Sequence, residues 1–195
     1  MKTMLALLFL ALASWGCTSC DTAEAQARAS DDTEPVLVQF SRDAGLSGWA
    51  VEDDAVMGGR SRGDLALDEA GNAVFTGTVS LENDGGFTSI QRDFVPAVDV
   101  VPYRALVLGL RGDGKRYQVR VDSEANARHS YAADFQTSGE WETIEIPFAD
   151  MQAIRHGDRL DLPPYPGRSL ARVQILVGNG VAETFRLEID RVWLQ

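Results

Sequence analysis

From residue 35 onward the chain is a series of short runs rich in Val, Ile, Phe, Tyr and Thr, broken by Gly, Asp, Asn and Pro. Short apolar runs separated by turn residues are typical of strands in a sandwich or barrel. No stretch keeps a long 3.6-residue period, so no substantial helix is predicted. The sequence therefore predicts an all-β fold, a β-sandwich or jelly roll. The candidate strands are 36–40, 65–68, 73–82, 87–94, 105–112, 116–122, 131–136, 142–147, 172–177 and 184–194.

Two candidate strands show a clear alternation of apolar and polar residues. In the first, Tyr117, Val119 and Val121 alternate with Gln118 and Arg120, and the segment 185–189 repeats this pattern. Since successive side chains of a strand point to opposite faces, each strand has one buried face and one face in water.

Two Asp-Gly pairs separate neighbouring candidate strands, at 84–85 and at 113–114. Asp-Gly between two strands is a strong signal for a tight hairpin, because the turn needs positive φ angles. A hairpin around 84–85 places Val79 opposite Ile90 on the apolar face. Gly77 falls on the same face and indicates a bulge or a close backbone approach.

The first residues have the layout of an export signal. Lys2 supplies a positive charge, and the apolar run 4–13 is too short to span a bilayer. Small residues and Cys17 follow, as in bacterial lipoprotein signals whose cysteine is lipidated. Cys20 is an alternative lipidation site, and an ordinary secretory signal or an uncleaved anchor are alternative interpretations. We expect a lipid-anchored chain in the cell envelope, outside the cytoplasm.

The segment 18–34 is predicted to be a flexible tether, because its polar and small residues cannot offset the entropy of ordering. A tether of this length reaches roughly 20–25 Å. The remaining region, 35–195, has the size of a single domain. Both cysteines lie at the signal boundary, so the core holds this domain together without a disulfide.

The charge balance excludes several partners. Asp and Glu outnumber Lys and Arg by 29 to 18, which leaves a net charge of −11. A nucleic-acid-binding surface requires a basic footprint, and attraction to an anionic membrane does too. Neither partner is therefore expected through charge, and contact with a membrane is predicted through the N-terminal lipid alone.

No specific catalytic or metal-binding motif is found. His129 precedes Ser130, but there is no nucleophile elbow to support a Ser-His-Asp triad. Asp54, Glu82 and Asp93 offer a glycosidase-like pair of acids, a coincidence that is common in an acidic chain. His, Cys and Asp spacings match no metal site. We predict no cofactor, no metal and no catalytic residue.

A binding role agrees better with the sequence. Trp49, Trp141 and Tyr131 are candidate aromatic platforms for sugar rings, whereas Trp193 is predicted to be a core residue. A small polar face of the predicted hairpin is a second candidate for a contact surface. It consists of Thr76, Thr78, Ser80, Glu82, Ser89 and Gln91.

Five blocks of sequence, in order, resemble the complex I intermediate-associated protein 30 family. They are 54–61 (DAVMGGRS), 75–89 (FTGTVSLENDGGFTS), 110–117 (LRGDGKRY), 141–148 (WETIEIPF) and 185–189 (FRLEI). The resemblance spans about residues 37–194 and implies a galactose-binding-domain-like β-sandwich, similar to some carbohydrate-binding modules. It also implies a chaperone-like role in assembling respiratory complex I, with no catalytic set. An exported chain departs from that role, which belongs to the compartment equivalent to the bacterial cytoplasm.

The glycine-rich loops 56–62 and 83–89 are predicted to meet at one end of the sandwich. Conspicuous polar residues in such loops are candidates for function. We therefore predict a non-catalytic binding or assembly module for a protein partner or a glycan. The alternative is a periplasmic carbohydrate-binding module or glycan-acting hydrolase. The candidate binding surface consists of Asp54, Arg60, Ser61, Glu82, Asn83 and Ser89.

Overall fold

The computed structural model describes residues 35–195, without the side chains of Val56 and Met57. The predicted signal with Cys17 or Cys20, and the predicted tether 18–34, lie outside the described residues. The described residues form β-strands and short 3₁₀ turns, which confirms the all-β prediction. No helix among them has the length and apolar character to cross a membrane. The strands are β1 (Val36–Gln39), β2 (Trp49–Asp53), β3 (Arg62–Leu67), β4 (Ala73–Val79), β5 (Thr88–Asp99), β6 (Ala105–Arg111), β7 (Arg116–Asp122), β8 (Ser130–Gln136), β9 (Trp141–Pro147), β10 (Gln152–Arg155), β11 (Asp158–Arg159), β12 (Ser169–Val177) and β13 (Glu183–Leu194).

The strands make two antiparallel sheets. The six-stranded sheet has the order β3-β4-β13-β6-β9, and β1 adds to it through β13. The seven-stranded sheet has the order β11-β10-β8-β7-β12-β5-β2. The inward faces of both sheets enclose one apolar core, as in a β-sandwich.

The two alternating segments have the predicted faces. Tyr117, Val119 and Val121 of β7 are buried in the core, and Phe185 and Ile189 of β13 are buried there too. The polar positions of β7 face outward. Trp193 is buried as predicted, in a smaller cluster with Ala105 and Val107.

Both hairpin predictions are wrong. β4 belongs to the six-stranded sheet and β5 to the seven-stranded sheet, so Val79 pairs with Glu183 and Ile90 pairs with Ile175. Likewise, β6 and β7 lie in different sheets, and the chain crosses between sheets at 113–114. Opposite strands of a sandwich direct their apolar residues into one core. Alternation therefore cannot distinguish a hairpin partner from a strand across the core.

Two glycines in and after β4 were singled out by the sequence, and the backbone accounts for one of them. Asp84 has the positive φ that an Asp-Gly turn needs, but Gly85 has φ −71°. The backbone conformation at position 85 therefore does not require glycine. Gly77 is required by a close backbone approach, since a Cβ there would overlap the carbonyl oxygen of Arg62. Of the two readings predicted for Gly77, the close approach is the one found.

Candidate functional site

Asp54 is the centre of a hydrogen-bond cluster at one end of the sandwich. It sits in a 3₁₀ turn after β2, and only 1% of its surface is exposed. Its carboxylate accepts hydrogen bonds from the Ser61 backbone N–H (3.0 Å) and hydroxyl (2.5 Å). The backbone N–H groups of Gly86 (2.6 Å) and Phe87 (3.3 Å) donate to the same carboxylate. One buried side chain therefore fastens two loops together.

The hydrogen bonds around Asp54 keep the carboxylate charged. Burial raises the pKa of Asp54, but the hydrogen bonds from the Ser61 hydroxyl and from the Gly86, Phe87 and Ser61 backbone outweigh this effect. The pKa therefore lies below its usual value, as expected for a carboxylate that accepts several N–H donors.

Two glycines make room for that carboxylate. A Cβ at Gly59 would overlap Asp54 Oδ1, and a Cβ at Gly85 would lie 2.6 Å from Asp54 Oδ2. Gly58 caps the 3₁₀ turn with φ 91°, which favours glycine. The Met-Gly-Gly and Asp-Gly-Gly blocks of the sequence are thus requirements of the fold around Asp54.

Three of the predicted surface residues are buried, which corrects their expected exposure. Asp54 and Ser61 face each other inside the cluster, and Ser61 also bonds to the backbone of Ser80. Ser89 is fully buried and accepts a hydrogen bond from Gln174 Nε2 (2.9 Å). The sequence pattern could not show that polar side chains would hydrogen-bond to one another instead of to water.

The other three predicted surface residues are exposed and lie close together, as expected. Arg60 and Glu82 form an ion pair at 2.7 Å, with 66% and 63% of their side chains exposed. Asn83 Nδ2 donates to the carbonyl oxygen of Gly58 (3.1 Å). The two loops do meet, although not through the hairpin predicted between them. Whether these residues bind a partner stays a prediction.

A groove of about 740 Å³ crosses the outer face of the seven-stranded sheet. This volume is within the range of about 300–1,000 Å³ that is usual for ligand sites. The polar side chains of the middle strands make its floor, and the loops at 84–87, 127–129, 156–157 and 178–180 form its rim.

The floor is built from side chains that the strand register aligns. β12 is paired with β7 and with β5, so Arg120, Gln174 and Gln91 form one row across the sheet. Asp122 and Arg172 form the next row. Sheet pairing already uses the main-chain groups, so recognition in this groove relies on side-chain amides, guanidinium groups and carboxylates.

Several side chains of the floor and the rim retain hydrogen-bonding capacity. The Oε1 of Gln91 and the Nε2 of His129 are buried without a hydrogen-bond partner among residues 35–195. Arg120 Nε donates to Gln118 Oε1 (2.6 Å), and the part of the chain described here offers its guanidinium no ion pair. Burial lowers the pKa of Arg120, opposed by the charges of Asp122, Asp134 and Glu52.

The predicted aromatic platforms do not line this groove. Trp49 packs against Phe40 on the core side, with ring centroids 5.3 Å apart, and Tyr131 packs against Tyr165 in the same way. Trp141 is 45% exposed, but it lies in β9 of the other sheet, beneath Arg111. The predicted Thr and Ser face is also divided, because its first members belong to β4 and its last to β5.

No glycosidase-like acid pair is assembled from the three predicted carboxylates. Asp54 is buried in its cluster, Glu82 is paired with Arg60, and Asp93 is paired with Arg172 at 2.5 Å.

The Ser-His pair is not assembled either. The Ser130 hydroxyl donates to Asp122 (2.6 Å), which directs it away from the adjacent histidine. Among the described residues, no group of three or more His, Cys, Asp or Glu side chains is arranged to hold a metal ion.

A family model described as complex I intermediate-associated protein 30 (CIA30) matches residues 38–189. The chain belongs to this family. A member from Drosophila melanogaster, a mitochondrial complex I intermediate-associated protein 30, is 27% identical over 184 residues. The match covers 82% of this chain and 62% of the Drosophila protein, so this chain spans less than two thirds of that relative. The family predicted from the five sequence blocks is thus confirmed.

Solved structures with a fold similar to that of this CIA30-family chain include carbohydrate-binding modules. The family 11 module of a cellulosomal cellulase of Clostridium thermocellum matches with a TM-score of 0.59 and 15% identity, covering 82% of this chain and 93% of the module. A family 11 module from Clostridium thermocellum, in complex with a β-1,3-1,4-mixed-linked tetrasaccharide, matches with a TM-score of 0.56 and 18% identity, covering 83% and 94%. At these identities the likeness is one of fold.

The groove is the candidate site that sequence reasoning missed. One signal was present: Gln118, Arg120 and Asp122 alternate along β7, on the face opposite the core. That pattern identified an outward polar face. It could not show that Gln91 and Gln174, from distant parts of the chain, would lie beside Arg120.

Proposed function

We propose that the chain is a non-catalytic binding module that holds a glycan in the groove on the seven-stranded sheet. The observation that carries this proposal is the polar floor, where Arg120, Gln174 and Gln91 stand in one row across adjacent strands. Planar amide and guanidinium groups supply donors and acceptors at fixed spacing, which suits the neighbouring hydroxyl groups of a sugar. The likeness of the fold to carbohydrate-binding modules supports the same ligand class.

Titration of the purified full chain with glycan oligosaccharides, the mixed-linked β-glucan tetrasaccharide among them, tests this function. Gln174→Ala removes a side chain from the centre of the floor and is expected to weaken binding at least tenfold. Gln152→Ala is the matched control, because Gln152 lies on β10 of the same sheet and outside the groove. Absence of binding to every glycan, or equal effects of both changes, would defeat the proposal.

The absence of catalysis is tested separately by following the release of reducing ends from the bound glycan. We expect none above the rate without protein. Turnover above that rate, lost in Glu82→Ala while the variant stays folded, would show a hydrolase instead.

Membership of the CIA30 family favours a second function, in the assembly of a protein complex. Its contact surface would be the exposed end of the sandwich, at Arg60, Glu82 and Asn83. Native gel electrophoresis of respiratory complexes, from cells with and without the chain, tests this function. Cells without the chain should then lose complex I assembly, and the wild-type chain should restore it. If Glu82→Ala fails to restore it, the assembly role is supported over glycan binding.

We further propose that the chain is exported and anchored to a membrane through lipid on Cys17. The apolar run 4–13 and the cysteine after it support this location. Labelling with radioactive palmitate, followed by fractionation of cells, should place the label on the wild-type chain in the envelope and remove it in Cys17→Ala. Label that persists in Cys17→Ala and disappears in Cys20→Ala would move the anchor to Cys20. An unlabelled chain in the cytoplasm would contradict the proposal and leave complex I assembly as the accessible role.

A further inference from the structure

The groove differs in charge from the chain as a whole. The chain carries a net charge of −11, yet among the described residues four arginines and both histidines line the groove, against three carboxylates. In an acidic protein, this local excess of cationic and titratable side chains marks a place where an anion is favoured.

The cationic side chains concentrate at one end of the groove. β10 pairs antiparallel with β8, and Ile154 is opposite Ser130. The residues that follow Ile154 therefore lie beside those that precede Ser130. These are two copies of the same dipeptide, Arg155-His156 and Arg128-His129, and all four residues line the groove.

These arginines differ from Arg172 in their partners. Arg172 is held by Asp93 (2.5 Å) and lies 3.8 Å from Asp122, so its charge is compensated. Within residues 35–195, neither Arg128 nor Arg155 forms an ion pair with a carboxylate, and both are exposed. Asp158 is opposite Arg155 in the short β10–β11 hairpin, but it does not line the groove.

Two further groups support a site for an acceptor. His129 has a buried Nε2 without a hydrogen-bond partner among the described residues, and its ring packs edge-on against Tyr131 at 5.0 Å. Arg120 continues the cationic line onto the groove floor and makes no ion pair with any described residue. A buried polar atom without a partner is uncommon in folded proteins and calls for an explanation.

We propose that the two Arg-His dipeptides form an anion subsite and that the glycan bound in the groove is acidic, carrying carboxylate or sulfate groups. This inference rests on the proposed glycan-binding function. Arginine recognises both anionic groups through charge-assisted hydrogen bonds, so the chemistry of the subsite is the same for either. The row formed by Arg120, Gln174 and Gln91 holds the sugar hydroxyls, and the dipeptides hold the charge.

Calorimetric titration of the full chain with four probes tests this proposal. The probes are alginate oligosaccharides for carboxylate, carrageenan oligosaccharides for sulfate, mixed-linked β-glucan oligosaccharides as the neutral glycan, and poly-glutamate as an acidic polypeptide. We expect at least one acidic glycan to bind tenfold or more tightly than the neutral glycan. We also expect its affinity to fall as salt is added, because charge pairs at an open site are screened.

The double variant Arg128→Ala/Arg155→Ala should lose tenfold or more in affinity for the acidic glycan and less than twofold for the neutral one. The matched control, Arg116→Ala/Arg159→Ala, removes the same charge from exposed positions of the same sheet outside the groove. It should change neither affinity by more than twofold. Thermal melting should show that both double variants are folded.

Three results would contradict the proposal that the glycan is acidic. Equal binding of neutral and acidic glycans, unaffected by Arg128→Ala/Arg155→Ala, would leave the glycan module standing without an anion subsite. Loss of affinity in the control as large as in the test variant would mean that overall charge is responsible. Poly-glutamate that binds as tightly as any glycan would identify an acidic protein as the ligand. Failure of every glycan to bind would instead defeat the proposed function itself.

Discussion

The Asp54 cluster and the groove both consist of polar residues on loops and strands, but their hydrogen bonding is opposite. In the cluster, the Asp54 carboxylate accepts four hydrogen bonds from three residues of two loops, and it is buried. In the groove, Gln91 and His129 keep buried polar atoms without partners among the described residues. A satisfied network stabilises the fold, whereas an unsatisfied one leaves capacity for a ligand.

The two regions also differ in how readily the sequence identifies them and in whether their polar groups are free to bind a ligand. The family-specific blocks around Gly59 and Gly85 are those that fit closely around Asp54. The groove is made of Gln, Arg and His side chains scattered over the chain. We infer that the glycine-rich blocks around Asp54 maintain the fold. The proposed binding surface, the groove, is made of residues that form no motif.

The largest expected effect is that of Asp54→Ala on stability. The change leaves the N–H groups of Gly86, Phe87 and Ser61 without their acceptor in a buried site. We expect a loss of about 3–5 kcal/mol in the free energy of unfolding, measured in urea. Asp64→Ala, an exposed position on β3, is the control and should cost less than about 0.5 kcal/mol. Similar losses in both would show that the cluster has no special role.

Gly59→Ala should cost about 2–3 kcal/mol, because the added methyl group overlaps the Asp54 carboxylate and forces the loop to move. Gly109→Ala is the matched control: its Cβ would meet Trp193 at 3.4 Å, which is close to ordinary contact. Thermal unfolding of both variants measures the difference. A Gly59→Ala variant as stable as the control would mean that the two loops are not tightly fitted.

Acidification should weaken the cluster. The pKa of Asp54 is held below its usual value, so its contribution to stability is complete above the unfolded-state pKa of about 3.9. That contribution is lost as the pH falls toward the lower pKa of the folded state. The stability difference between wild type and Asp54→Asn should therefore shrink below about pH 4. A difference that stays constant down to pH 2 would contradict the charged carboxylate.

Gln91→Met should raise the stability, in contrast to the changes at Asp54 and Gly59. It replaces a buried, unsatisfied amide oxygen by an apolar group of similar size, so we expect a gain of about 1 kcal/mol in stability and weaker glycan binding. Gln118→Met is the control with satisfied bonds, to Asp134 and from Arg120, and it should be destabilising. If Gln91→Met is destabilising too, the two regions do not differ as described.

The smallest expected effect is that of Glu82→Ala on stability. Both members of the Arg60–Glu82 ion pair are largely exposed, so the pair contributes within about 0.5 kcal/mol. The variant should melt near the wild type. Lost binding of a protein partner would then identify this end as a contact surface. Failure to fold would add Glu82 to the architecture around Asp54.

Sequence reasoning predicted the strands of the core well and their partners poorly. Alternation identified the buried face of β7, and the apolar runs located most strands. The strands β2, β10 and β11 were missed, since they are too short to show a regular alternation of apolar and polar residues. The Asp-Gly pairs predicted turns correctly in place but hairpins wrongly, because φ preferences are local and the choice of sheet is not.

For the site, the sequence singled out the two loops that do meet, along with the residues that join them. It could not distinguish buried from exposed polar residues there, because Asp54 and Ser61 satisfy each other only once the loops have closed. Nor could it identify the groove, because β12 brings Gln174 between Arg120 and Gln91 from positions far apart in the chain.

By itself, the sequence determined the all-β class, the family and the acidic net charge. These properties follow from composition, periodicity and short motifs, all of which are local. Only the tertiary structure decided which strands share a sheet, why Gly59 and Gly85 are glycines, and where cationic side chains gather on an acidic chain. These depend on contacts between residues distant in sequence, which form only when both sheets close around one core.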